Sequence, residues 1–533
     1  MIAERFLARL QASRDVPVVF EVHGGELVSA TGSQLLDRIA TYRGWLREQT
    51  LRRGDRVAWV AGNGIAWIAM DLAVLCEALV SVPWYTRQDP TEIASYADDC
   101  DAAVIIAGTT ELADRLRAVT TRPVHTLDVA GPPVHDAPAA FAADAPVTLV
   151  YTSGTTGTAK GAILTEPNLA FMLPVTATAL ERMMASEAPD HRVFHYLPLC
   201  FMGSRVVLWT CLWRGNPIHL STNLENLAVE LATARPNYVL NVPLLLERMR
   251  SRVEAGIAGR AAPIRRLWTA ASRAATGSTS LRDRLSLTLA ERAIFPAIRK
   301  KLGPELRCLI CGSAPLASST QAWFGMLGLP VYQVYGLTET SAIVTMDVPP
   351  DASPGTVGRP LDGVDVRIGD DQELQVRGPN IFPGYWGRPD DTRRAFTDDG
   401  WFRTGDQGVL DGGRLSISGR VKNVIVLSSG HKVAPEPIEE ALKAELPAAD
   451  QIVVLGHERK ALVALVAGSV DRADVDRAIA AVNSGLPHYR RIAGVHLHPT
   501  ALTPESGLLT ANAKLKRPTI EAHFREPIAA LYA

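Results

Sequence analysis

Short apolar runs alternate with longer amphipathic stretches along most of this chain. Ala102–Ala107, Val147–Tyr151, Val193–Leu197, Tyr238–Val242, Leu306–Cys311 and Val331–Tyr335 are nearly continuous apolar segments bounded by turn residues, which predicts buried strands. Between them, segments such as Leu224–Ala234 and Leu244–Val253 carry helical periodicity. This alternation predicts an α/β architecture with substantial parallel sheet. The most apolar long stretch, Ile65–Val82, contains Asp71 and Glu77, so it reads as a buried helix followed by a strand rather than a membrane span. Ile163–Ala179 reads as mainly helical, with Pro167 suited to a first turn and Pro174 marking a kink or stop. Ala130–Pro146 is an Ala/Pro-rich connector, and the basic, Ser/Thr/Ala-rich Arg260–Arg284 reads as a solvated loop or insertion.

Beyond Gly355 the texture changes. Val364–Ile368 and Glu373–Arg377 predict a small antiparallel subdomain. From Arg420 a compact α+β unit is predicted: strand Val424–Leu427, helix Glu436–Leu446, strands Gln451–Leu455 and Leu462–Val466, and helix Asp471–Val482. A domain boundary is expected near Gly419–Lys422. It separates a large N-terminal domain (1–419) of mostly parallel sheets with helices plus the small β subdomain from a small C-terminal domain (420–533).

Composition narrows the class. A chain of 533 residues exceeds one ordinary core, and 47% hydrophobic with 21% charged residues fits a soluble globular protein. The formal charge of -1 argues against nucleic acid as a main partner. Six cysteines are too few for a disulfide scaffold at this length, which points to a reducing cytoplasm. Cys308 and Cys311 have redox or zinc spacing but lie in an apolar run without a second pair, so they read as core residues. The N-terminus lacks an uninterrupted apolar segment of the signal-peptide type, and no transmembrane segment is expected.

The candidate chemistry begins in Tyr151-Thr-Ser-Gly-Thr-Thr-Gly-Thr-Ala-Lys-Gly161, directly after a predicted strand. Glycines let backbone N–H groups approach phosphate oxygens, hydroxyls add donors and a lysine offsets charge. Lys160 lies between Ala159 and Gly161, so this is not the Gly-Lys-Ser/Thr phosphate loop. Further strand ends carry Cys311-Gly-Ser-Ala-Pro-Leu316 and Tyr335-Gly-Leu-Thr-Glu-Thr340. Asp406 closes Trp401-Phe-Arg-Thr-Gly-Asp406, where a carboxylate can take both hydroxyls of a ribose. Gly419-Arg-Val-Lys-Asn423 sits at the boundary, and Thr510-Ala-Asn-Ala-Lys-Leu-Lys-Arg517 is a basic segment near the C-terminus.

In this order and spacing the motifs resemble those of the adenylate-forming superfamily of acyl-CoA synthetases, peptide-synthetase adenylation domains and luciferases, over nearly the whole chain. Tyr196-Leu-Pro-Leu-Cys-Phe-Met-Gly-Ser-Arg205, Val433-Ala-Pro-Glu-Pro-Ile-Glu439 and Lys514-Leu-Lys-Arg517 are most similar to the long-chain acyl-CoA synthetases. The resemblance implies that ATP and a carboxylate give an acyl-adenylate and pyrophosphate, after which coenzyme A takes the acyl group and AMP leaves.

By the same resemblance, Thr152, Ser153, Gly154, Thr155, Thr156, Gly157 and Lys160 would hold the β- and γ-phosphates. Gly312, Ser313, Ala314 and Tyr335 would sandwich the adenine, with Gly336 also at the cofactor site. Thr338 would bond the α-phosphate and Glu339 would hold Mg²⁺. Asp406 would take the ribose, with Arg420 beside it, and Lys514 would bridge the carboxylate and α-phosphate. Lys422 matches the hinge of a C-terminal domain that swings between half-reactions, bringing Gly430 toward the pantetheine arm. Phe201, Met202 and Val242 would line an apolar acyl pocket, which implies a hydrophobic carboxylic acid, whether fatty or polycyclic or aromatic.

Three positions depart from the family pattern. Cys200-Phe201 stands where Ala-His is usual, Ala159 where proline is usual, and Asn423 where many relatives have Asp or Glu. The first two leave open a variant confined to the thioester-forming half-reaction; separate alternatives are loading of a carrier protein instead of coenzyme A and a non-catalytic binding protein. The last is disfavoured by the presence of Glu339, Asp406, Arg420 and Lys514.

Overall fold

A computed structural model of the chain describes residues 1–152, 159–185, 191–275, 280–503, 505–509 and 514–532. The described chain forms two compact units. The first runs from Met1 to Asp365 and from Val376 to Phe402; the second comprises Val366–Gln375 and the chain from Arg403 onward.

The first unit holds two large sheets. A six-stranded sheet has the order Val124–Thr126, Ala102–Ala107, Arg56–Val60, Val80–Trp84, Pro146–Thr152 and Lys160–Thr165, parallel except for the last pair. A nine-stranded sheet has a parallel centre in the order Val331–Tyr335, Cys308–Cys311, Tyr238–Asn241, Val193–His195, Ile218–Ser221 and Pro17–His23. Antiparallel strands close both of its edges. The helix Ile65–Cys76 touches both sheets, meeting Val80–Trp84 on one and Pro17–His23 on the other. That position explains why the helix is apolar all round: nearly every residue from Ile65 to Cys76 is buried, Asp71 included.

The apolar runs became strands at the expected places, with Ala102–Ala107 and Val331–Tyr335 matching end to end. Cys308 and Cys311 are buried in their strand, and all six cysteines are free. Two readings are corrected. Residues 163–165 belong to a strand, Lys160–Thr165, and the helix starts only at Glu166, running to Met184 with Pro174 inside it. The strand is imposed by partners on both sides: Pro146–Thr152 pairs with one edge, and Ile163 and Gly161 bond Gly384 and Trp386 on the other at 3.1 and 2.8 Å. The basic stretch 260–284 is not a loop. It lies largely in helices Ala262–Ala275 and Leu281–Ala293, because Trp268 and Ala271 pack into the core and arginine is a good helix former.

In the second unit, strands Phe402–Asp411 and Arg414–Arg420 form an antiparallel hairpin. Its end portion is a three-stranded sheet, ordered Gln451–Leu455, Leu462–Ala467, Ile492–His498. Strand alternation splits the unit into two layers. Ile452, Val454, Leu462, Ala464 and Val466 face helices Glu436–Glu445 and Arg472–Ser484. Val453, Leu455, Val463, Leu465 and Ala467 face helices Arg517–His523 and Arg525–Ala530.

Candidate active site

In the first unit the candidate residues gather at the C-terminal ends of parallel strands, where an open α/β sheet places its ligands. Strand Cys308–Cys311 ends at Gly312, and strand Val331–Tyr335 beside it ends at Gly336. Both glycines are required by the protein's own packing. A Cβ on Gly312 would lie 2.7 Å from Val334 Cγ2, and one on Gly336 would lie 2.1 Å from the Ala342 carbonyl oxygen. Ser313, at φ 71°, occupies the left-handed region, and Ser313 and Ala314 are exposed just past the strand. Tyr335, Thr338 and Glu339 are half-buried, with Thr338 and Glu339 on a single 3₁₀ turn held by Thr340, whose hydroxyl accepts from the Leu337 N–H at 2.9 Å.

Glu339 has a partner that sequence reasoning missed. The Tyr385 hydroxyl donates to Glu339 Oε1 at 2.8 Å. Burial, then the adjacent carboxylate, holds the Tyr385 phenol well above its ordinary pKa, so it stays a donor. Lys160 lies 5.3 Å from the centroid of the same ring and pairs with Asp391 at 2.7 Å. The lysine's hydrogen bond is the leading cause that holds the Asp391 carboxyl below its usual range. Lys160, Tyr385 and Glu339 thus form a line from the end of the Gly/Thr loop to the candidate magnesium carboxylate. The aromatic cluster Phe382-Pro-Gly-Tyr-Trp386 was the available signal for it. Thr152 and Lys160 face each other across the hairpin, while Ser153, Gly154, Thr155, Thr156 and Gly157 lie outside the described residues.

The acyl-pocket candidates sit on two nearby elements. Val242 follows strand Tyr238–Asn241, next to Gly312, whose N–H bonds the Asn241 carbonyl at 3.2 Å. The Val242 N–H bonds the Tyr196 hydroxyl at 3.3 Å. Phe201 caps helix Met202–Arg214 and its ring lies 5.7 Å from that of Tyr85; Met202 is buried. Asn63, also missed, clamps the Leu-Pro-Leu turn by donating to the Leu197 carbonyl and accepting from the Leu199 N–H, both at 2.9 Å.

Behind this helix lies a fully buried polar network. Arg205 and Asp71 are both 0% exposed and pair at 2.6 Å. Ser81 donates to Asp71 at 2.8 Å and accepts from Arg205 at 2.8 Å, and the Trp209 indole donates to Asp71 at 3.2 Å. Arg205 also donates to Thr148, on the strand that enters the Gly/Thr loop.

In the second unit, Asp406 is buried and pairs with its cross-strand neighbour Arg420 at 2.7 Å. Its backbone N–H is taken by Thr404 Oγ1 at 3.1 Å. Lys422 lies on a 3₁₀ turn, Val421–Asn423, with Asn423 donating to Glu436 at 2.6 Å. Gly430, at φ 82°, closes the turn between strands Ile425–Val426 and Lys432–Val433, and that angle alone is reason for glycine. Beside it, Ser429 bonds His431, whose ring stacks on Tyr489 with centroids 4.3 Å apart. Lys514 is exposed, and the segment after it is pinned to the unit: Leu515 bridges Leu509, and Arg517 grips Glu439 through two hydrogen bonds of 2.8 and 2.6 Å.

Residues 7–386 match the AMP-binding enzyme family model, and residues 422–533 match the model of the AMP-binding enzyme C-terminal domain. A long-chain-fatty-acid–CoA ligase, FadD15, of Mycobacterium bovis is 30% identical over 90% of this chain and 88% of its own. Among solved structures, ATP-bound MatB from Rhodopseudomonas palustris superposes with a TM-score of 0.76, at 23% identity and 99% coverage of both chains. The adenylation domain of a carboxylate reductase from Mycobacterium chelonae does so with a TM-score of 0.78, at 22% identity, covering 100% of this chain and 91% of that one. These two likenesses show the fold, a large N-terminal α/β domain and a small C-terminal domain. The family matches and the similarity along the chain show that this protein belongs to the AMP-binding enzyme family and is an ATP-dependent, AMP-forming ligase.

Proposed function

We propose that the chain is a cytoplasmic acyl-CoA ligase that activates a hydrophobic carboxylic acid with ATP and passes the acyl group to coenzyme A, releasing AMP. The observation that carries this reading is the 30% identity, along nine tenths of the chain, to a ligase named for long-chain fatty acids and coenzyme A. A carboxylate resists nucleophiles because it is charged; adenylation removes the charge and supplies a leaving group.

In the first half-reaction a carboxylate oxygen attacks the α-phosphorus and pyrophosphate leaves. Thr152, Lys160 and the intervening loop hold the outer phosphates. Gly312–Ala314, Tyr335 and Gly336 flank the adenine, Asp406 accepts the ribose hydroxyls and Arg420 keeps that carboxylate in place. Thr338 donates to the α-phosphate. Lys514 places a compact positive charge between the two reacting groups. Glu339, oriented by Tyr385, suits Mg²⁺, which commonly uses one or two carboxylates together with substrate phosphates and water. Among the described residues no cluster of three or more His, Cys, Asp or Glu side chains offers a self-sufficient metal cage, which fits that mode. Bound magnesium would offset the charge on the phosphoryl oxygens.

In the second half-reaction the coenzyme A thiol attacks the acyl carbon and AMP leaves. Residues 420–533 rotate about Lys422 between the two steps, withdrawing Lys514 and presenting Gly430 to the pantetheine arm. Phe201, Met202 and Val242 favour an apolar acyl group.

The test is incubation of purified protein with ATP, Mg²⁺, coenzyme A and a panel of hydrophobic acids, with AMP and thioester followed by mass spectrometry. Matching AMP and acyl-CoA is the expected result. Thioester formed only from synthetic acyl-adenylates would confine the protein to the second half-reaction. Thioester on a phosphopantetheinylated carrier but not on coenzyme A would reassign the acceptor.

A further inference from the structure

We propose that the helical pair Ala262–Ala275 and Leu281–Ala293 docks the enzyme on an anionic lipid bilayer. Leu281, Leu285 and Leu289 are 75%, 71% and 56% exposed. Their spacing of four puts them on one face of the second helix. The opposite face already does the packing: Asp283 and Ala290 are buried, and Leu287 packs on the core. The outward leucines are therefore surplus to the fold. A contiguous apolar stripe in water marks an interaction surface.

Charge identifies the occupant. Arg282, Arg284 and Arg292 are exposed around the stripe, and Arg260, Arg265 and Arg266 are exposed on or just before the first helix. None of these six forms an ion pair among the described residues. From Arg260 to Lys301 the chain carries ten Lys and Arg against two acids, within a protein of formal charge -1. One of those acids, Asp283, is spent internally on Arg273 at 3.0 Å.

An anionic bilayer satisfies both features at once. The leucines enter the acyl boundary while arginine stems reach back to the headgroups. A nucleic acid would leave the leucines exposed. A second copy docking leucine to leucine would bring two positive faces together.

The platform is fixed in place. Trp268 on the first helix packs edge-on against Phe295 and Trp323, each at 6.0 Å between centroids. The first helix also touches helix Pro243–Ala258, which starts directly after Val242.

The test uses the full chain without ATP, coenzyme A or acid, sedimented with vesicles of phosphatidylcholine containing one third phosphatidylserine. The protein is expected to co-sediment, to release as salt rises, and to bind pure phosphatidylcholine far more weakly. R282Q/R284Q/R292Q should lower partitioning on the order of 100-fold. L285S/L289S should lower it roughly tenfold or more. Both variants should keep the wild-type melting temperature, since the altered side chains lie outside the core. Three results would overturn the proposal: no co-sedimentation, equal binding to neutral and anionic vesicles, or variants that bind vesicles as wild type does. A leucine variant that only turns a dimer into a monomer would assign the stripe to a second copy instead.

Discussion

Removing either partner of the Arg205–Asp71 pair should destabilise the first unit, and removing both should restore most of the loss. Breaking a fully buried ion pair by deleting one partner costs about 3–5 kcal/mol, because the other charge is left uncompensated. The structure ranks the two deletions. In Arg205→Met, Asp71 keeps its donors Ser81 and Trp209, and burial already pushes its carboxyl upward, toward taking a proton. Its cost should sit near the lower end, about 3 kcal/mol. In Asp71→Leu, an always-charged guanidinium retains only neutral partners, the hydroxyls of Ser81 and Thr148 and aromatic faces such as that of Trp209, so the cost should approach about 5 kcal/mol. The double variant places two apolar side chains together and should cost less than about 2 kcal/mol. The assay can be confined to one unit, because all ten tryptophans lie in the first. Urea unfolding followed by tryptophan fluorescence therefore reports on that unit. If each single change costs under about 1 kcal/mol, or the double costs the sum of the singles, the buried pair is not coupled and the reasoning fails.

Three further outcomes are expected. Lys514→Ala should slow acyl-adenylate formation on the order of 100- to 1000-fold while leaving thioester formation from synthetic acyl-adenylate near wild type; equal loss in both steps would remove Lys514 from its assigned role. Tyr385→Phe should raise the magnesium concentration needed for half-maximal activity roughly tenfold or more, since it deletes the hydrogen bond orienting Glu339; an unchanged magnesium titration would count against Glu339 as the metal carboxylate. Burial pushes the His195 pKa down to about 4, so the unfolded chain, with a value near 6.5, takes the proton first. Its contribution is present above about pH 6.5 and is lost as pH falls toward about 4, in total about 3 kcal/mol. His195→Leu should flatten that slope in urea titrations relative to wild type, and parallel slopes would refute it.

The fold was legible where burial is symmetric. Ala102–Ala107 is apolar on both faces because sheet and helices enclose it, so composition alone marked it. Lys160–Thr165 was misread because its second neighbour is contributed by residues 384–386, far along the chain, and no local pattern encodes that pairing. The stretch 260–284 was misread because its helices are anchored by few residues, Trp268 and Ala271, amid arginines that looked merely solvated. Candidate site residues on strand ends, such as Gly312 and Tyr335, carried their own Gly and hydroxyl signals. Tyr385 stood out only as part of the aromatic run Phe382–Trp386, and Asp391 and Asn63 carried no signal, since an ordinary aspartate and asparagine become informative only beside Lys160 and the Leu-Pro-Leu turn.

The pairing of Lys160–Thr165 on both sides fixes Lys160 twice over. The register of Lys160 is set by Thr152 across the hairpin and, independently, by the bonds that Gly161 and Ile163 make to Trp386 and Gly384. These two pairings therefore hold the lysine beside Tyr385 from outside the Gly/Thr loop. Lys160 is thereby anchored from the sheet, by segments that meet its strand from two distant parts of the chain.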